Sequence, residues 1–368
     1  MKKHHVIFMI LLGLLSCAKS SSYDDDLTRF IISGNSRAAL EPCGCRIPAG
    51  GLPRRVGFIY SMEKGMDEII KLEAGNWLFP AYNPPETVPE SWKEQANLLA
   101  EAYKMIDFDA INVGFTDLSL GYEYLNTLKK EYHLPLLSTN LINKEGELIF
   151  NPYYVIKQKN LRTAVFGVTH LTDDQALRFP ALKPSEAIRK QLPKVRNQVD
   201  LILVLADLSV EDTEALGKAI PEIDFIINSR HKAWTQLPKK TEGKAMYTYL
   251  GPEGQYLGIL DVIFRDPQKP IHDLSAVFHR YDFSKERLEE YRTRAGETPV
   301  DVYYQDNPGL LRTLRVYEKE IEKQKTMIDT TQNYMHWTMR LLDNSVYTHP
   351  EWEGKVNSFL FAGSDEKK

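Results

Sequence analysis

From Leu27 onward, short continuous apolar runs alternate with stretches whose apolar residues recur at three-to-four spacing. The runs at 29–33, 68–73, 110–113, 136–139, 163–168, 201–205 and 225–228 are rich in β-branched and aliphatic residues. Continuous rather than alternating apolarity predicts strands buried on both faces. Helices are predicted between them over 54–62, 184–198 and 211–220, and within 84–106, where Trp92, Ala96, Leu99 and Tyr103 share one face. Strand–helix alternation of this kind predicts a layered α/β domain.

After about residue 245 the pattern changes, and 246–250, 257–264 and 274–281 read as antiparallel strands. Helices are predicted over 284–295 and 308–328. Pro308 suits the first turn of the second, and Leu310, Leu314, Tyr317, Ile321 and Ile328 make one narrow stripe along it. The stripe suits packing on the same domain, with a dimerising coiled coil as the alternative. From Gly363 onward the chain is polar and charged, a pattern of frayed ends.

At the other end, Lys2 and Lys3 precede an apolar stretch at 6–15, the layout of a secretory signal and too short for a comfortable membrane span. The stretch closes on Leu14-Leu15-Ser16-Cys17, which resembles a bacterial lipobox, with a diacylglyceryl group on Cys17 and cleavage just before it. An acylated Cys17 would exceed the two signals needed for stable membrane anchoring. Ala18, rather than the Asp that retains lipoproteins at the inner membrane of enteric bacteria, points to the outer membrane. The alternative is an ordinary signal peptide with an incidental cysteine. The expected organisation is therefore a signal peptide over 1–16, a tether over 17–26, a main domain over 27–282, a helical extension over 283–362 and a frayed tail over 363–368.

The chain has 368 residues, 43% of them hydrophobic and 26% charged, which suits one large globular domain with an appendage. With 46 basic against 50 acidic residues, the net charge of −4 argues against a nucleic-acid partner. If Cys17 is acylated, Cys43 and Cys45 remain of the three cysteines, in an oxidising compartment. A local structural disulfide in Cys43-Gly44-Cys45 is the first expectation, with a redox pair or reduced thiols as alternatives. No Gly-x-Ser-x-Gly, phosphate-cradling Gly-Lys-Ser/Thr loop or His-Glu-x-x-His is present.

The stretch F-I-I-S-G-N-S-R-A-A-L-E-P-C-G-C-R-I-P-A-G-G-L-P-R-R at 30–55 resembles the opening of the periplasmic 5′-nucleotidase and UDP-sugar hydrolase family of calcineurin-like phosphoesterases, in its Cys-Gly-Cys branch. Blocks at 72–79, 109–114, 135–140, 163–169, 199–208 and 223–232 follow in that family's order, so the resemblance covers roughly 28 to 265. It implies a four-layer α/β/β/α sandwich of the metallophosphoesterase type. It also implies two divalent cations about 3.5–4 Å apart, activating a water and clamping phosphoryl oxygens. The family's ligand pattern is Asp-x-His, Gly-Asp, Gly-Asn-His-Asp/Glu, a His, and Gly-His-x-His.

This chain departs from that pattern at each block. Asn35 and Arg37 stand in the first, Asn76 at the bridging aspartate, and Phe115 and Thr116 at the Asn-His pair, beside a surviving Asp117. Asp207 stands at the next His, and Arg230 and Lys232 flank His231 in the last block. A guanidinium cannot ligate a metal, so the resemblance implies a degenerate member with no cofactor. The alternative is a divalent metal in a rebuilt site, with Asn35, Asn76 and Asp207 as oxygen donors.

Arg37, Arg54, Arg55, Arg230, His231 and Lys232 are expected to converge on the vacated crevice and to bind an anionic small molecule. The bland reading has these side chains filling space, paired with Glu41, Asp117 and Asp207. His170, on a loop beside the cleft, is read first as satisfied structure, and Trp77, Phe79 and Tyr82, followed by Pro84-Pro85, first as loop packing, with an aromatic ledge as the alternative. The expected function is an exported, membrane-anchored lipoprotein that binds an anionic ligand or an envelope protein without catalysis. A phosphoester or nucleotide hydrolase and a thiol-redox lipoprotein are the alternatives.

Overall fold

The computed structural model describes residues 26–66, 68–82, 85–172 and 177–365. Cys17, the signal peptide and all of the tether but Asp26 lie outside these residues. Thirteen strands among the described residues form two sheets. One contains β1 (Leu27–Ser33), β2 (Ile70–Glu73), β3 (Ala110–Asn112), β4 (Leu136–Leu137), β11 (Tyr256–Phe264), β12 (His272–Asp273) and β13 (Asn333–Leu341), in the order β12-β13-β11-β1-β2-β3-β4. The other contains β5 (Tyr153–Gln158), β6 (Leu161–Thr169), β7 (Leu201–Asp207), β8 (Phe225–Asn228), β9 (Lys239–Lys240) and β10 (Met246–Tyr249), in the order β5-β6-β7-β8-β10-β9.

Alternation along each strand sorts the core into layers. Phe30 and Ile32 of β1 join Leu203, Leu205 and Phe225 between the sheets, while Ile31 points the other way. On that outer side it meets Val56, Leu99 and Leu125 from the helices Leu52–Gly65, Glu90–Ile106 and Gly121–Tyr132. Ile202 and Val204 of β7 face outward onto Ile188 and Leu216, from Pro184–Gln191 and Val210–Ala219. Both central strands are therefore buried on two faces, and the layers run helix, sheet, sheet, helix: the expected four-layer sandwich.

Three stretches depart from the expected pattern. Residues 274–281 begin a helix, Ser275–Ala295, instead of forming a strand. Leu274, Val277, Phe278 and Tyr281 recur at helical spacing and pack together against Ile263 and Tyr334, so the apolar run has period 3.6 and not 2. The extension expected to be helical over 283–362 contains β13, which pairs antiparallel with β11, Trp337 opposite Leu260. The chain after β11 leaves as a helical pair, Ser275–Ala295 and Pro308–Thr330, and returns to finish the sheet. The last helix, Pro350–Asp365, continues past the expected frayed end at 363, and its Trp352 and Val356 join the cluster holding Val56 and Ile59. The C-terminal region is thus built into both the sheet and the outer helix layer.

Across β11 and β13, a Cβ on Gly258 would overlap the Trp337 indole. Gly258→Ala is expected to cost about 1–3 kcal/mol by overpacking. Trp337→Ala is expected to cost about 3–5 kcal/mol by leaving a cavity. The double variant should lose less than the sum, because the added methyl enters the space the indole vacates. Urea unfolding of the three variants checks this, and strict additivity would place the two residues out of contact.

Candidate functional site

The loops leaving the C-terminal ends of β1, β2, β3, β7 and β8 meet at one end of the sandwich. The first two are zipped together by backbone hydrogen bonds, Asn35 N to Gly75 O at 2.9 Å and Arg37 N to Asn76 O at 2.8 Å. Asn35 (φ 52°), Arg37 (φ 47°), Ala38 (φ 57°) and Asn76 (φ 59°) all hold left-handed backbone, a conformation that non-glycine residues keep only where surrounding bonds impose it.

Asp117 supplies many of those bonds. Its Oδ1 accepts from the backbone N–H of Trp77 and Leu78, both at 2.9 Å. Its Oδ2 accepts from Asn76 N at 2.9 Å and Gly114 N at 2.8 Å. Burial pushes this carboxyl up to about 7, against the four N–H donors that favour its charged form. Asp117 therefore holds the loops after β2 and β3 in place and, among the described residues, pairs with no arginine, contrary to the space-filling expectation.

The other family-site residues bond to one another. Asn76 Oδ1 accepts from Thr116 N and Thr116 Oγ1, both at 3.1 Å, and its Nδ2 donates to Ser229 Oγ at 3.4 Å. Asn35 Nδ2 donates to Gly251 O at 2.7 Å and His231 O at 3.1 Å, while its Oδ1 accepts from Arg37 Nε at 2.9 Å. Asp207, 1% exposed, accepts from Phe115 N through Oδ2 and from Arg230 Nε through Oδ1, each at 2.7 Å. The Arg230 guanidinium continues to His170 O at 2.6 Å. Phe115 stacks on Tyr82 with ring centroids 4.4 Å apart, whereas Trp77 and Phe79 are fully buried and make no open ledge.

Of the six basic residues expected to converge, four reach this end: Arg37 and Arg230, half-buried, and His231 and Lys232, exposed. Arg54 does not. It donates to Pro48 O at 2.7 Å, Leu342 O at 3.2 Å and Asn344 Oδ1 at 2.5 Å, clamping the segment after β13. Arg55 lies beneath this end without opening onto it: its side chain is fully buried beside Glu73, the last residue of β2, and donates to Tyr103 Oη at 3.3 Å. Glu73 in turn accepts from Ser33 Oγ and from Tyr103 Oη at 2.8 Å. Burial raises the Glu73 carboxyl above its ordinary range, with the Arg55 charge pulling it down. This buried Ser33–Glu73–Tyr103–Arg55 network is absent from the sequence reading. Its members lie on separate elements, and the one available signal is the glutamate that closes the buried strand Ile70–Glu73.

Cys43 and Cys45 are bonded to each other, with Cα atoms 5.3 Å apart. Their loop is held at its exit by Cys43 N to Ala49 O and Gly50 N to Leu342 O, both 2.9 Å. The positive φ of Gly50 (85°) and Gly51 (91°) turns the chain into the helix Leu52–Gly65.

No family model matches the chain. By sequence it is similar to the metallophosphoesterase YunD of Bacillus subtilis, 25% identical over 186 residues, covering 49% of this chain and 38% of YunD. It is also similar to protein UshA of Escherichia coli, 31% identical over 114 residues, covering 30% of this chain and 20% of UshA. The matches therefore span well under half the length of these relatives. The fold is that of a 5′-nucleotidase precursor from Thermus thermophilus, with TM-score 0.55, 19% identity, and coverage of 66% of this chain and 52% of that one. It is also that of the calcineurin-like phosphoesterase YfkN from Bacillus subtilis, with TM-score 0.54, 14% identity, and coverage of 65% of this chain and 86% of that one. The calcineurin-like metallophosphoesterase fold expected from the motif blocks is thus the fold of this chain.

This kinship overturns the expectation of a chain without a cofactor: YunD is a metallophosphoesterase by name, so a divalent metal is the group to weigh at these strand ends. The residues here do not fit a two-metal centre. The guanidinium of Arg230 sits on Asp207, and the side-chain oxygens of Asn35, Asn76 and Asp207 all accept hydrogen bonds from within the protein.

Replacing Asp117 by Ala leaves four backbone N–H groups without their acceptor and is expected to cost at least about 3 kcal/mol. Asp117→Asn should also destabilise, since its amide hydrogens face N–H donors. Chemical unfolding tests this, and a variant as stable as the parent would remove Asp117 from the role of loop clamp.

Proposed function

We propose that this metallophosphoesterase fold serves as a binding domain of the bacterial cell envelope, holding an anionic small molecule at the strand-end crevice without hydrolysing it. Anchoring is through a lipid on Cys17, at the outer membrane. The observation that carries the reading is the ion pair of Asp207 with Arg230, 2.7 Å from Oδ1 to Nε, at positions where the resembling family places metal-binding histidines. A fixed guanidinium there repels cations and attracts anions. Arg37 adds to this charge: only its Nε is engaged among the described residues, bonding Asn35, which leaves the two Nη groups as a fork for carboxylate or phosphate. His231 and Lys232 stand exposed beside it.

A second reading, a divalent-metal phosphoester or nucleotide hydrolase with a rebuilt site, is favoured by the kinship to a metallophosphoesterase. A thiol-redox role for Cys43 and Cys45 rests on their bonded pair. The three part company in one set of measurements. Supplied with Mn²⁺, Co²⁺, Zn²⁺ or Mg²⁺, the protein is expected to turn over neither a chromogenic phosphodiester nor a nucleoside monophosphate. Calorimetric titration with inorganic phosphate and a nucleoside monophosphate should show binding that weakens at least about tenfold in Arg37→Ala, as loss of a charge-assisted bidentate contact requires. Cys45→Ser should leave that binding intact. Metal-dependent turnover abolished by Asp207→Ala would establish the hydrolase instead.

A further inference from the structure

The crevice lies where the parallel strands end. At their starting end the two sheets diverge around a cleft of about 820 Å³. Asp200 lies there just before β7, Asp224 just before β8, Met246 opens β10 and Phe264 closes the antiparallel β11. Met246, Phe264, Ile271 and Met335 give the cleft an apolar floor, and Arg196, Lys240, Lys244 and Lys269 share its rim with Asp200, Glu222, Asp224 and Asp273.

The rim's charges are unequally engaged. Asp200 is held by the Arg162 fork at 2.9 and 3.0 Å. Asp224 accepts from Ile202 N at 2.8 Å, and Asp273 accepts from Ser275 N at 3.0 Å. Glu222 also stands on this rim, exposed. Lys269 reaches Asp266 at 3.4 Å. Lys240 and Lys244 are exposed, and among the described residues their side chains have no hydrogen-bond partner or close ion pair, although Lys244 and Arg196 are near enough to the Asp224 carboxyl to pull it down against its burial. Lys240 lies on β9, an edge strand whose other residue is the equally exposed Lys239.

The chain enters the fold at this same end. Asp26 pairs with Arg265 at 2.9 Å, and Leu27 stands opposite Ile263. Both partners flank Phe264 of the cleft floor. Eight residues lie between Cys17 and Asp26, and the nine steps this makes span at most about 30 Å. A lipid on Cys17 therefore keeps the lysine-rimmed end near the bilayer. The crevice then lies at the far end of the seven-residue β1, about 23 Å further out.

We propose that this cleft and its lysine rim are a docking surface for anionic phospholipid headgroups of the membrane to which the chain is anchored, an inference that rests on the lipoprotein reading. Lys240 and Lys244 meet the lipid phosphates, and the Met246, Phe264 and Met335 floor takes the glycerol and upper acyl carbons. Docking here presents the strand-end crevice away from the bilayer.

The test uses the unlipidated chain from Ala18, which keeps every described element, with vesicles of phosphatidylcholine alone or mixed with phosphatidylglycerol. The protein is expected to sediment with the mixed vesicles and to be released by high salt. Lys240→Gln/Lys244→Gln should lower partitioning about 25-fold, roughly fivefold for each charge removed near an anionic surface, with an unchanged melting temperature. Equal partitioning onto both vesicle types, or a double variant that binds like the parent, overturns the proposal. So does uptake of free glycerol phosphate without vesicle binding. The mass of the exported chain reads acylation of Cys17 separately, so failure of the anchor and failure of the docking surface are distinct results.

Discussion

A single buried carboxylate ties together the end of the sandwich where the parallel strands finish. Asp117 accepts four backbone N–H bonds from residues 76, 77, 78 and 114, and so fixes the chain leaving β2 against the chain leaving β3. A charge so deeply buried is tolerable only where donors replace its water. That requirement dictates the path of both loops, including the left-handed turn at Asn76. Because Asn76 O in turn accepts from Arg37 N, the loop after β1 inherits its position from the same anchor.

Within that frame, the chemistry of the crevice is set by which side chains the loops deliver. Asp207 and Arg230 face each other across the ends of β7 and β8, and their mutual attraction offsets the desolvation of a carboxylate that is 1% exposed. The neighbouring amides of Asn35 and Asn76 direct their hydrogen-bonding groups into adjoining loops. The outcome is a strand-end surface whose polar groups are paired internally, edged by the half-buried Arg37 and the exposed His231 and Lys232. Such a surface differs in kind from the carboxylate- and imidazole-rich one that a pair of divalent cations requires. The relatives nonetheless make divalent metal the comparison against which this crevice is measured.

The molecule has a direction. Parallel strands place all their C-terminal ends, and hence the crevice, on one side; the chain enters beside the lysine-rimmed cleft on the other. The strand-end loops and the entry of the chain thus lie at opposite ends of the same two sheets.

Much of the interior was determined by the sequence itself, because strands buried on both faces must be apolar throughout, and 163–168, 201–205 and 225–228 have no other way to satisfy that pattern. The identity of the residues at the strand ends was equally legible, since Asn35, Asn76, Asp207 and Arg230 occupy ordered blocks. Their bonding was decided by tertiary structure alone. Arg54 and Arg55 are neighbours in sequence, yet one clamps the segment after β13 and the other lies buried beside Glu73, because successive residues of a helix point about 100° apart. β13 was hidden for a related reason. Its half-exposed, mixed sequence becomes a strand only when β11, some seventy residues earlier, offers an edge, and no local pattern carries that pairing. At 274–281 four apolar residues at helical spacing also looked like a strand, and the contact of Leu274, Val277 and Phe278 with Ile263 and Tyr334 settled the period. Local sequence sets which residues must be buried, while partners distant in the chain decide what each buried or charged group is paired with.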